Sequence, residues 1–291
     1  MEAGKWGAPF RPKLFDGARP LKRWRYVGIF CEELMTCAAL IQIGPARQSF
    51  WALHLRSGGP IRERTRLLPR RREVELIHAE GPTRVRAHAR AGASSGEHSP
   101  GRLRLKDRGV ELDLTLEENG GFEALCSNGG SQVWTRKQAG IAAHGTLSLD
   151  GGAPRAIDAL AVIDDTVGYH ERVTEWRWSA GVGESPDGVA LAWNLVSGVN
   201  DPLSGSERAV WVKGEPHEVP PVSFAPDLSS IGCEDGSQLT FTAEAERIRR
   251  ENLLIVSSDY RAPFGTFSGT LPGEIALAHG LGVVEHHRAR W

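Results

Sequence analysis

Apolar and polar residues alternate with a period of two along much of the chain. Residues 110–116 (VELDLTL) alternate strictly, and residues 189–196 (VALAWNLV) follow a similar rhythm. Such alternation places the apolar side chains on one face of a β-strand. Glycine-containing turns recur at residues 119–121, 128–130 and 150–152. Short strands separated by such turns are typical of antiparallel sandwiches and barrels, and not of a parallel βαβ sheet.

The pattern therefore predicts an all-β protein of two consecutive antiparallel β-barrel or sandwich lobes, with few short helices. The turn-forming run at residues 150–154 (DGGAP) predicts an N-terminal lobe over 1–150 and a C-terminal lobe over 151–291. Residues 91–101 (AGASSGEHSPG) predict a surface loop within the first lobe. Residues 242–252 (TAEAERIRREN) fit either a short helix or a polar edge strand.

Composition narrows the class of protein. The 291 residues are 40% hydrophobic and 24% charged, with a net charge of −1, which is ordinary for a globular protein and argues against disorder. Residues 56–108 carry fourteen Arg or Lys against six Asp or Glu. No aromatic residues interleave with these charges as they do in nucleic-acid-binding modules. This segment therefore predicts a solvated sheet face, and no nucleic-acid partner is expected.

The N-terminal residues and the cysteines point to a cytoplasmic protein. Residues 1–10 contain no apolar run of signal-peptide length, and the longest apolar stretch, residues 37–43, is too short to span a bilayer. The four cysteines show no C-x-x-C spacing, so free thiols are expected instead of disulfides or a zinc site. We expect no integral membrane segment. The sequence leaves the oligomeric state open.

The densest group of polar and aromatic residues follows an apolar strand at residues 159–163. Asp164 and Asp165 end that strand, and Trp176 and Trp178 share one face of the next. Adjacent strand residues point to opposite faces, so only one aspartate can face an interior, and the sequence does not say which. A carboxyl group in an apolar pocket can serve as a general acid, and aromatic faces can stabilise the cation that forms when an alkene is protonated. Alternatively, the acids bind backbone at a strand end and the tryptophans fill a core.

Further candidates accompany this group. Asp164 or Asp165 would be the acid, with His170, Glu171 or Glu285 as its polar partners. An inward-facing Glu285 or His286 side chain would act as an acid–base partner. Substrate-binding candidates are Trp176, Trp178, Trp193, Asn194, Tyr260 and His286. Asn194 lies among apolar residues, where a buried amide needs a hydrogen-bond partner from protein or ligand.

Several sites are not expected. The run Glu285-His286-His287 lacks the H-E-x-x-H spacing of a zinc helix, so no metal site is predicted. No P-loop or G-x-G-x-x-G follows a strand, and no G-x-S-x-G occurs, so neither a nucleotide cofactor nor an α/β-hydrolase is expected. No other cofactor is predicted. Glu207 and Arg208 fit a surface ion pair, and residues 200–202 an ordinary turn.

Three longer motifs carry a family resemblance: residues 164–183 (DDTVGYHERVTEWRWSAGVG), 193–211 (WNLVSGVNDPLSGSERAVW) and 260–287 (YRAPFGTFSGTLPGEIALAHGLGVVEHH). With residues 21–30 and 41–53, they identify the chain as resembling a bacterial family of unknown function. More distantly it resembles the two-lobed lipocalin-like group of carotenoid hydratase (hydroxyneurosporene synthase), AttH-like proteins and fungal pericyclase-type cyclases. That resemblance implies two lipocalin-like lobes, a hydrophobic substrate, an acidic residue at Asp164 or Asp165, and a site lined by Trp176 and Trp178.

These observations leave three hypotheses. The first is a cofactor-independent enzyme that hydrates, isomerises or cyclises an apolar, unsaturated lipid- or isoprenoid-like molecule by acid catalysis. The second is a barrel that binds a lipid or isoprenoid without chemistry. The third, a structural or interaction protein, requires lobes without a cavity. The resemblance favours the first hypothesis over the second, and the location of the largest cavity decides most between them.

Overall fold

A computed structural model describes residues 12–67, 69, 73–78, 100–253 and 256–290. Within these residues the chain forms antiparallel strands and turns and contains no helix. The prediction of an all-β protein of two lobes is confirmed. Residues 91–99 of the predicted surface loop, and residues 79–99 of the arginine-rich segment, lie outside the described residues.

The first sheet contains ten strands, and a two-stranded ribbon precedes it. The ribbon consists of β1 (Phe15–Asp16) and β2 (Arg19–Pro20). The sheet strands are β3 (Lys22–Phe30), β4 (Leu34–Ile43), β5 (Ala46–Leu55), β6 (Arg62–Leu67), β7 (Val74–Ile77), β8 (Gly101–Asp107), β9 (Val110–Leu116), β10 (Phe122–Asn128), β11 (Ser131–Leu149) and β12 (Arg155–Gly168). Their spatial order is β6-β5-β4-β3-β12-β11-β9-β8-β7, and β10 pairs with the first part of β11.

The second sheet contains nine strands. They are β13 (Val173–Glu184), β14 (Ala190–Ser197), β15 (Ala209–Val212), β16 (Glu215–Glu218), β17 (Val222–Phe224), β18 (Ser230–Cys233), β19 (Gln238–Leu253), β20 (Val256–Leu271) and β21 (Ile275–Arg290). Their order is β16-β15-β14-β13-β21-β20-β19-β18-β17. The two sheets thus share one topology. In each sheet a meander of four strands lies beside a second meander, and the last strand of the sheet pairs with its first long strand. These central pairs are β12 with β3 and β21 with β13.

The chain passes from the first sheet to the second between Gly168 and Val173. The turn at residues 150–154 instead joins β11 to β12 inside the first sheet, because β12 pairs with both β11 and β3. The predicted division into 1–150 and 151–291 therefore does not coincide with the change of sheet. It places β12, a central strand of the first sheet, with the second lobe.

Residues 242–252 belong to β19, so the strand alternative for this segment holds. β18 pairs with β19 only as far as Thr240, whereas β20 pairs along its whole length. Most of β19 is therefore a polar edge. Its side chains reach the first sheet, where Arg56 binds the Glu244 carboxylate with both Nε and Nη2 at 3.0 Å.

Among the described residues, the larger clusters of buried apolar side chains form three layers. One fills the curl of the first sheet and includes Val27 and Leu112, and another fills the second sheet and includes Trp193 and Phe241. The third layer joins the two sheets face to face and contains Tyr26, Phe30, Phe50, Trp178, Tyr260 and Val283. A central strand such as β12 therefore has both of its faces buried, one in its own lobe and one between the lobes.

The described residues contain no helix of the length and apolarity that crossing a bilayer requires. All four cysteines are free thiols, and Cys37 and Cys126 are buried. Burial raises the pKa of both thiols to about 12, so neither is a reactive thiolate at neutral pH.

Candidate functional site

A cavity of about 150 Å³ lies between the two sheets, within the layer that joins them. An engineered apolar cavity of this volume holds a benzene molecule, so the space suits a small ligand or one part of a larger ligand. The cavity walls are mainly aromatic and are formed by Trp24, Tyr26, Phe50, Trp176, Trp178 and Tyr260. The charged side chains that line it are Lys137, Asp164, Glu207, Arg247, Arg249, Glu251 and Glu285.

The two aspartates lie within β12 and not at its end, because the strand continues to Gly168, and they point to different compartments. Asp164 lies opposite Tyr26 on β3 and lines the cavity, whereas Asp165 lies opposite Arg25 and faces the interior of the first sheet. Because adjacent residues of a strand point to opposite faces, Asp164 is the aspartate whose side chain faces the cavity. Both positions are well shielded, and Asp165 is completely buried.

Asp165 is held in an internal ion-pair network. Arg25 Nη1 donates to both of its carboxylate oxygens at 2.9 and 3.0 Å, and Arg136 Nη2 donates to Oδ2 at 2.8 Å. Although burial opposes ionisation, these two guanidinium groups lower the pKa of Asp165 to about 2. The structure thus places this sequence candidate outside the cavity, as the anion that compensates two buried arginines.

Asp164 belongs to a second network on the cavity side. The Lys137 ammonium group lies 2.6 Å from Asp164 Oδ1 and 3.3 Å from Glu207 Oε1. Trp24 Nε1 donates to Asp164 Oδ2 at 3.0 Å, and Asn200 Nδ2 donates to Glu207 Oε2 at 3.1 Å. Burial raises the pKa of Glu207, against the opposing effect of Lys137. One lysine therefore serves two buried carboxyl groups, and the network carries one negative charge more than positive when both are ionised.

Glu285 is the third acid of the cavity. Its carboxyl group accepts a hydrogen bond from Trp176 Nε1 at 2.8 Å and interacts with the Tyr260 hydroxyl. Burial raises the pKa of Glu285 to about 7, although both of these hydrogen bonds act in the opposite direction. No ion pair to this carboxyl group occurs in the part of the chain that the structure describes. Glu285 is therefore divided between its protonated and ionised forms near neutral pH.

The aromatic walls are fixed by contacts between rings. Trp24 stacks on Trp176 with ring centroids 6.4 Å apart and planes 7° from parallel. Trp178 meets Tyr26 edge-on at 5.3 Å. Trp178 Nε1 donates to Asn194 Oδ1 at 2.7 Å, so Asn194 lies behind the wall and orients it. Trp176 and Trp178 thus both line the cavity, while Asn194 supports one of them.

Arg247 closes one side of the cavity. Its guanidinium group lies over the Phe50 ring at 4.3 Å and over the Tyr260 ring at 4.9 Å. Arg247 Nη2 also donates to Thr65 Oγ1 of the first sheet at 2.6 Å. This residue links the two sheets and brings a positive charge to an aromatic wall.

The remaining candidates lie elsewhere. The Glu171 side chain is exposed, and His286 points outward and contacts Glu175 Oε1 at 2.9 Å. Trp193 is buried in the second sheet's own core, where its Nε1 donates to Ser179 Oγ at 3.0 Å. His170, in contrast, lines the cavity and lies against the Trp24 ring, with centroids 5.2 Å apart and planes tilted by 31°.

Sequence reasoning missed several residues of the site. Lys137, Arg247 and His287 were not singled out as cavity residues, although all three line it. The interpretation of Glu207 and Arg208 as a surface pair is wrong, since 4% and 0% of these residues are exposed. Arg208 instead donates to the backbone carbonyl groups of residues 202, 219 and 220. His287 could have been predicted from the period of two, because it lies two residues after Glu285 on the same strand and therefore shares its face.

Among the described residues, no group of three or more His, Cys, Asp or Glu side chains is arranged to hold a metal ion. Asp164, Glu207 and Glu285 are instead engaged with lysine, tryptophan, asparagine and tyrosine. What this arrangement offers chemically is an acid of near-neutral pKa in an aromatic cavity, beside two carboxyl groups that share one lysine.

Three solved structures share the fold of the chain at low sequence identity. A protein from Nitrosomonas europaea assigned as AttH is 11% identical, over 94% of this chain and 93% of that one, with a TM-score of 0.53. Kievitone hydratase from Nectria haematococca is 12% identical over 91% and 88% of the two chains, with a TM-score of 0.51. CghA is 8% identical over 93% and 88%, also with a TM-score of 0.51. These likenesses confirm the predicted two-lobed, lipocalin-like fold.

No curated protein sequence matches the chain significantly. A family model described as Domain of unknown function (DUF2804) matches residues 11–291. The chain belongs to this family, which confirms the family resemblance of its motifs.

Proposed function

We propose that the chain is an enzyme that protonates the carbon–carbon double bond of an apolar, lipid- or isoprenoid-like small molecule, with Glu285 as the general acid. The observation that carries this proposal is a carboxyl group of pKa about 7 inside a tryptophan-walled cavity. A general acid is most effective when its pKa lies near the working pH. The proposal extends to hydration, isomerisation or cyclisation, which all begin with this protonation.

Asp164 suits the role of acid less well than Glu285. Its carboxylate is paired with the Lys137 ammonium group at 2.6 Å and accepts hydrogen bonds from Trp24 and Thr166. Both of its oxygen atoms are therefore already engaged by donors of the protein. Asp164 instead contributes negative charge near the reacting carbon atoms, which favours a cationic intermediate.

The reaction balances without an oxidant or reductant. The π electrons of the double bond take the Glu285 proton, which leaves a carbocation and the Glu285 carboxylate. In hydration, a water molecule adds to the cation and returns a proton to Glu285; in isomerisation, Glu285 removes a proton from a neighbouring carbon. The faces of Trp176, Trp178 and Tyr260 stabilise the cation, because aromatic rings attract positive charge. The name of one structural relative, a hydratase of kievitone, agrees with this chemistry.

Non-catalytic binding of a lipid or isoprenoid is the alternative. The observation in its favour is the apolar lining by Ile41, Ile43, Phe50 and Val196, which needs no acid to bind a ligand. This alternative predicts a bound molecule that is released unchanged.

Deuterium transfer from solvent distinguishes the two. The protein is incubated in D₂O with geraniol, limonene, farnesol or kievitone, and the recovered molecules are analysed by mass spectrometry. The proposal predicts deuterium in at least one compound, at a rate that Glu285→Gln lowers by about 10²- to 10⁴-fold. Glu175→Gln is the matched control, because Glu175 is exposed and lies outside the cavity. Equal rates for Glu285→Gln and the unaltered protein would remove Glu285 from the mechanism, and unlabelled but bound compounds would favour the carrier.

A further inference from the structure

Two buried polar side chains in the cavity have atoms without a hydrogen-bond partner among the described residues. They are both ring nitrogens of His170 and the amide oxygen of Asn200. His170 is 2% exposed and Asn200 is 7% exposed, and both line the cavity. Buried polar atoms are usually paired, and leaving one unpaired costs about 1–3 kcal/mol. Such atoms in a cavity wall mark the place where a ligand supplies the missing partners.

The orientation of the Asn200 amide is determined by its neighbour. Its Nδ2 donates to Glu207 Oε2 at 3.1 Å. The amide nitrogen therefore faces a carboxyl oxygen, and Oδ1 is the atom left as a free acceptor. The backbone of Asn200 has a φ of 55°, a left-handed conformation that asparagine adopts more readily than most residues.

His170 is neutral at physiological pH. Burial and the nearby positive charges of Lys22 and Lys137 lower its pKa to about 3. A neutral imidazole has one N–H donor and one acceptor nitrogen. The cavity therefore presents to a ligand one donor and one acceptor from His170, and a second acceptor from Asn200.

We propose that this end of the cavity binds a neutral hydroxyl group, so that the substrate is an apolar unsaturated molecule that carries an alcohol or a phenol. A hydroxyl group can donate to Asn200 Oδ1 and accept from His170, whereas a carbonyl group can only accept. An anionic group would meet the carboxyl groups of Asp164 and Glu207, which already occupy Lys137. An ammonium group can only donate, so the N–H of His170 would remain without an acceptor.

The hydroxyl site and the acid lie in one cavity. Trp24 donates to Asp164, which is paired with Lys137, and Trp176 donates to Glu285. The two indole rings stack on each other. A single small molecule can therefore place its hydroxyl group at His170 while its double bond lies near Glu285. This inference names the substrate class of the proposed function and rests on it for the reaction, but not for the binding.

Binding of a matched set of compounds tests the inference without any turnover. Calorimetric titration compares 4-propylphenol, 3-phenyl-1-propanol, propylbenzene and 4-propylbenzoate, which differ in the polar group on a similar apolar body. We expect the phenol or the alcohol to bind about tenfold more tightly than propylbenzene, as one or two net hydrogen bonds allow. The benzoate is expected to bind more weakly than the phenol, and the first two compounds separate a phenol from an aliphatic alcohol.

Two variants assign the preference to the proposed residues. His170→Phe keeps a ring against Trp24 but removes both nitrogens, and Asn200→Gly removes the amide while accepting the positive φ. The hydroxyl preference is the ratio of the dissociation constant of propylbenzene to that of the phenol or alcohol. In each variant we expect this ratio to fall to within about twofold of one, while propylbenzene still binds. His286→Phe, which alters an outward-facing histidine, is the control and is expected to keep the preference.

The inference is overturned if the unaltered protein binds propylbenzene as tightly as its hydroxyl analogues, as it would if water satisfied these atoms. It is also overturned if none of the compounds binds up to its solubility limit, or if both variants keep the full preference. The Glu285→Gln variant should retain the preference, because Glu285 is not part of this hydroxyl site. A preference that persists without any deuterium transfer would therefore sustain the hydroxyl site and refute the acid chemistry.

Discussion

Replacing Glu285 by glutamine is expected to stabilise the protein above neutral pH. The carboxyl group is 8% exposed, and its pKa is raised from an ordinary value of 4.5 to about 7 because burial disfavours the ionised form. Glutamine is nearly the same size and has no charge to bury. It can still accept the hydrogen bond from Trp176, so the packing of the cavity is kept.

The sign and size follow from the linkage between ionisation and folding. Below pH 4.5 the carboxyl group is protonated in the folded and unfolded states, and ionisation adds no cost. Between pH 4.5 and about 7 the unfolded chain ionises first, so the free energy of unfolding falls with pH, and above this range the loss stays constant. The two pKa values differ by about 2.5 pH units. At about 1.36 kcal/mol per unit, the full loss is about 3 kcal/mol.

Urea denaturation measured at several pH values checks this expectation. Glu285→Gln and the unaltered protein should have equal free energies of unfolding below pH 4.5, and the variant should gain up to about 3 kcal/mol as the pH passes 7. Glu175→Gln should show no such gain, because His286 lowers the pKa of the exposed Glu175 carboxyl group. A difference between the two proteins that does not change with pH, or a variant that is less stable at high pH, would refute the assignment of Glu285 as a buried acid of raised pKa.

Two further predictions concern the neighbours of the acids. Trp176→Phe removes the indole N–H that donates to Glu285, so the pKa of Glu285 should rise by roughly one pH unit. This pKa is measured by ¹³C NMR titration of the carboxyl group, and an unchanged or lower value would contradict the reasoning. Asp165→Asn removes one of the two carboxylates, Asp165 and Glu118, that pair with Arg25 and Arg136, and should lower the free energy of unfolding by about 3–5 kcal/mol in urea. Deuterium transfer per folded molecule should be unchanged in this second variant, and a specific loss would show that Asp165 takes part in the reaction.

The period of two was sufficient to predict the fold class and the aromatic wall. It placed Trp176 and Trp178 on one face of a strand, and both line the cavity. It could not decide between Asp164 and Asp165, because the period of two identifies the buried face only when the other face of the strand is exposed to solvent. In β12 both faces are buried, one within the first lobe and the other between the lobes. The period of two shows that Asp164 and Asp165 face opposite sides of the strand. It does not show whether a ligand binds within the first lobe or between the two lobes.

The charged residues of β11 were harder to predict for a related reason. Residues 133–139 (VWTRKQA) are all buried, although the segment contains an arginine, a lysine and a glutamine. Such residues are rarely buried without partners, so sequence reasoning assigns them to a surface. Their partners come from β12, across the strand pair, from residues 118–119 after β9, and from Glu207 of the second lobe. Only the three-dimensional arrangement brings Lys137 to Asp164 and Glu207.

The pairing of these charges depends on one extra residue in β11. From the turn at residues 150–154 the β11–β12 pairing runs in a constant register as far as residue 141. If that register continued, Lys137 would lie opposite Asp165. Gly140 interrupts it as a bulge with a φ of 73°, and beyond it Lys137 lies opposite Asp164 and Arg136 opposite Asp165. An isolated glycine in a strand often marks such a bulge, so the sequence did contain a signal for it.

The bulge explains why the site has its present charges. Directly opposite residues of an antiparallel pair share a face, and a slip of one residue sends a side chain to the other face. The shift at Gly140 therefore gives each buried aspartate one basic partner on its own side of the strand. Lys137 compensates Asp164 between the lobes, and Arg136 compensates Asp165 within the first lobe. While Asp164 is paired with Lys137, burial raises the pKa of Glu285 to about 7, which is the property that the proposed proton transfer requires.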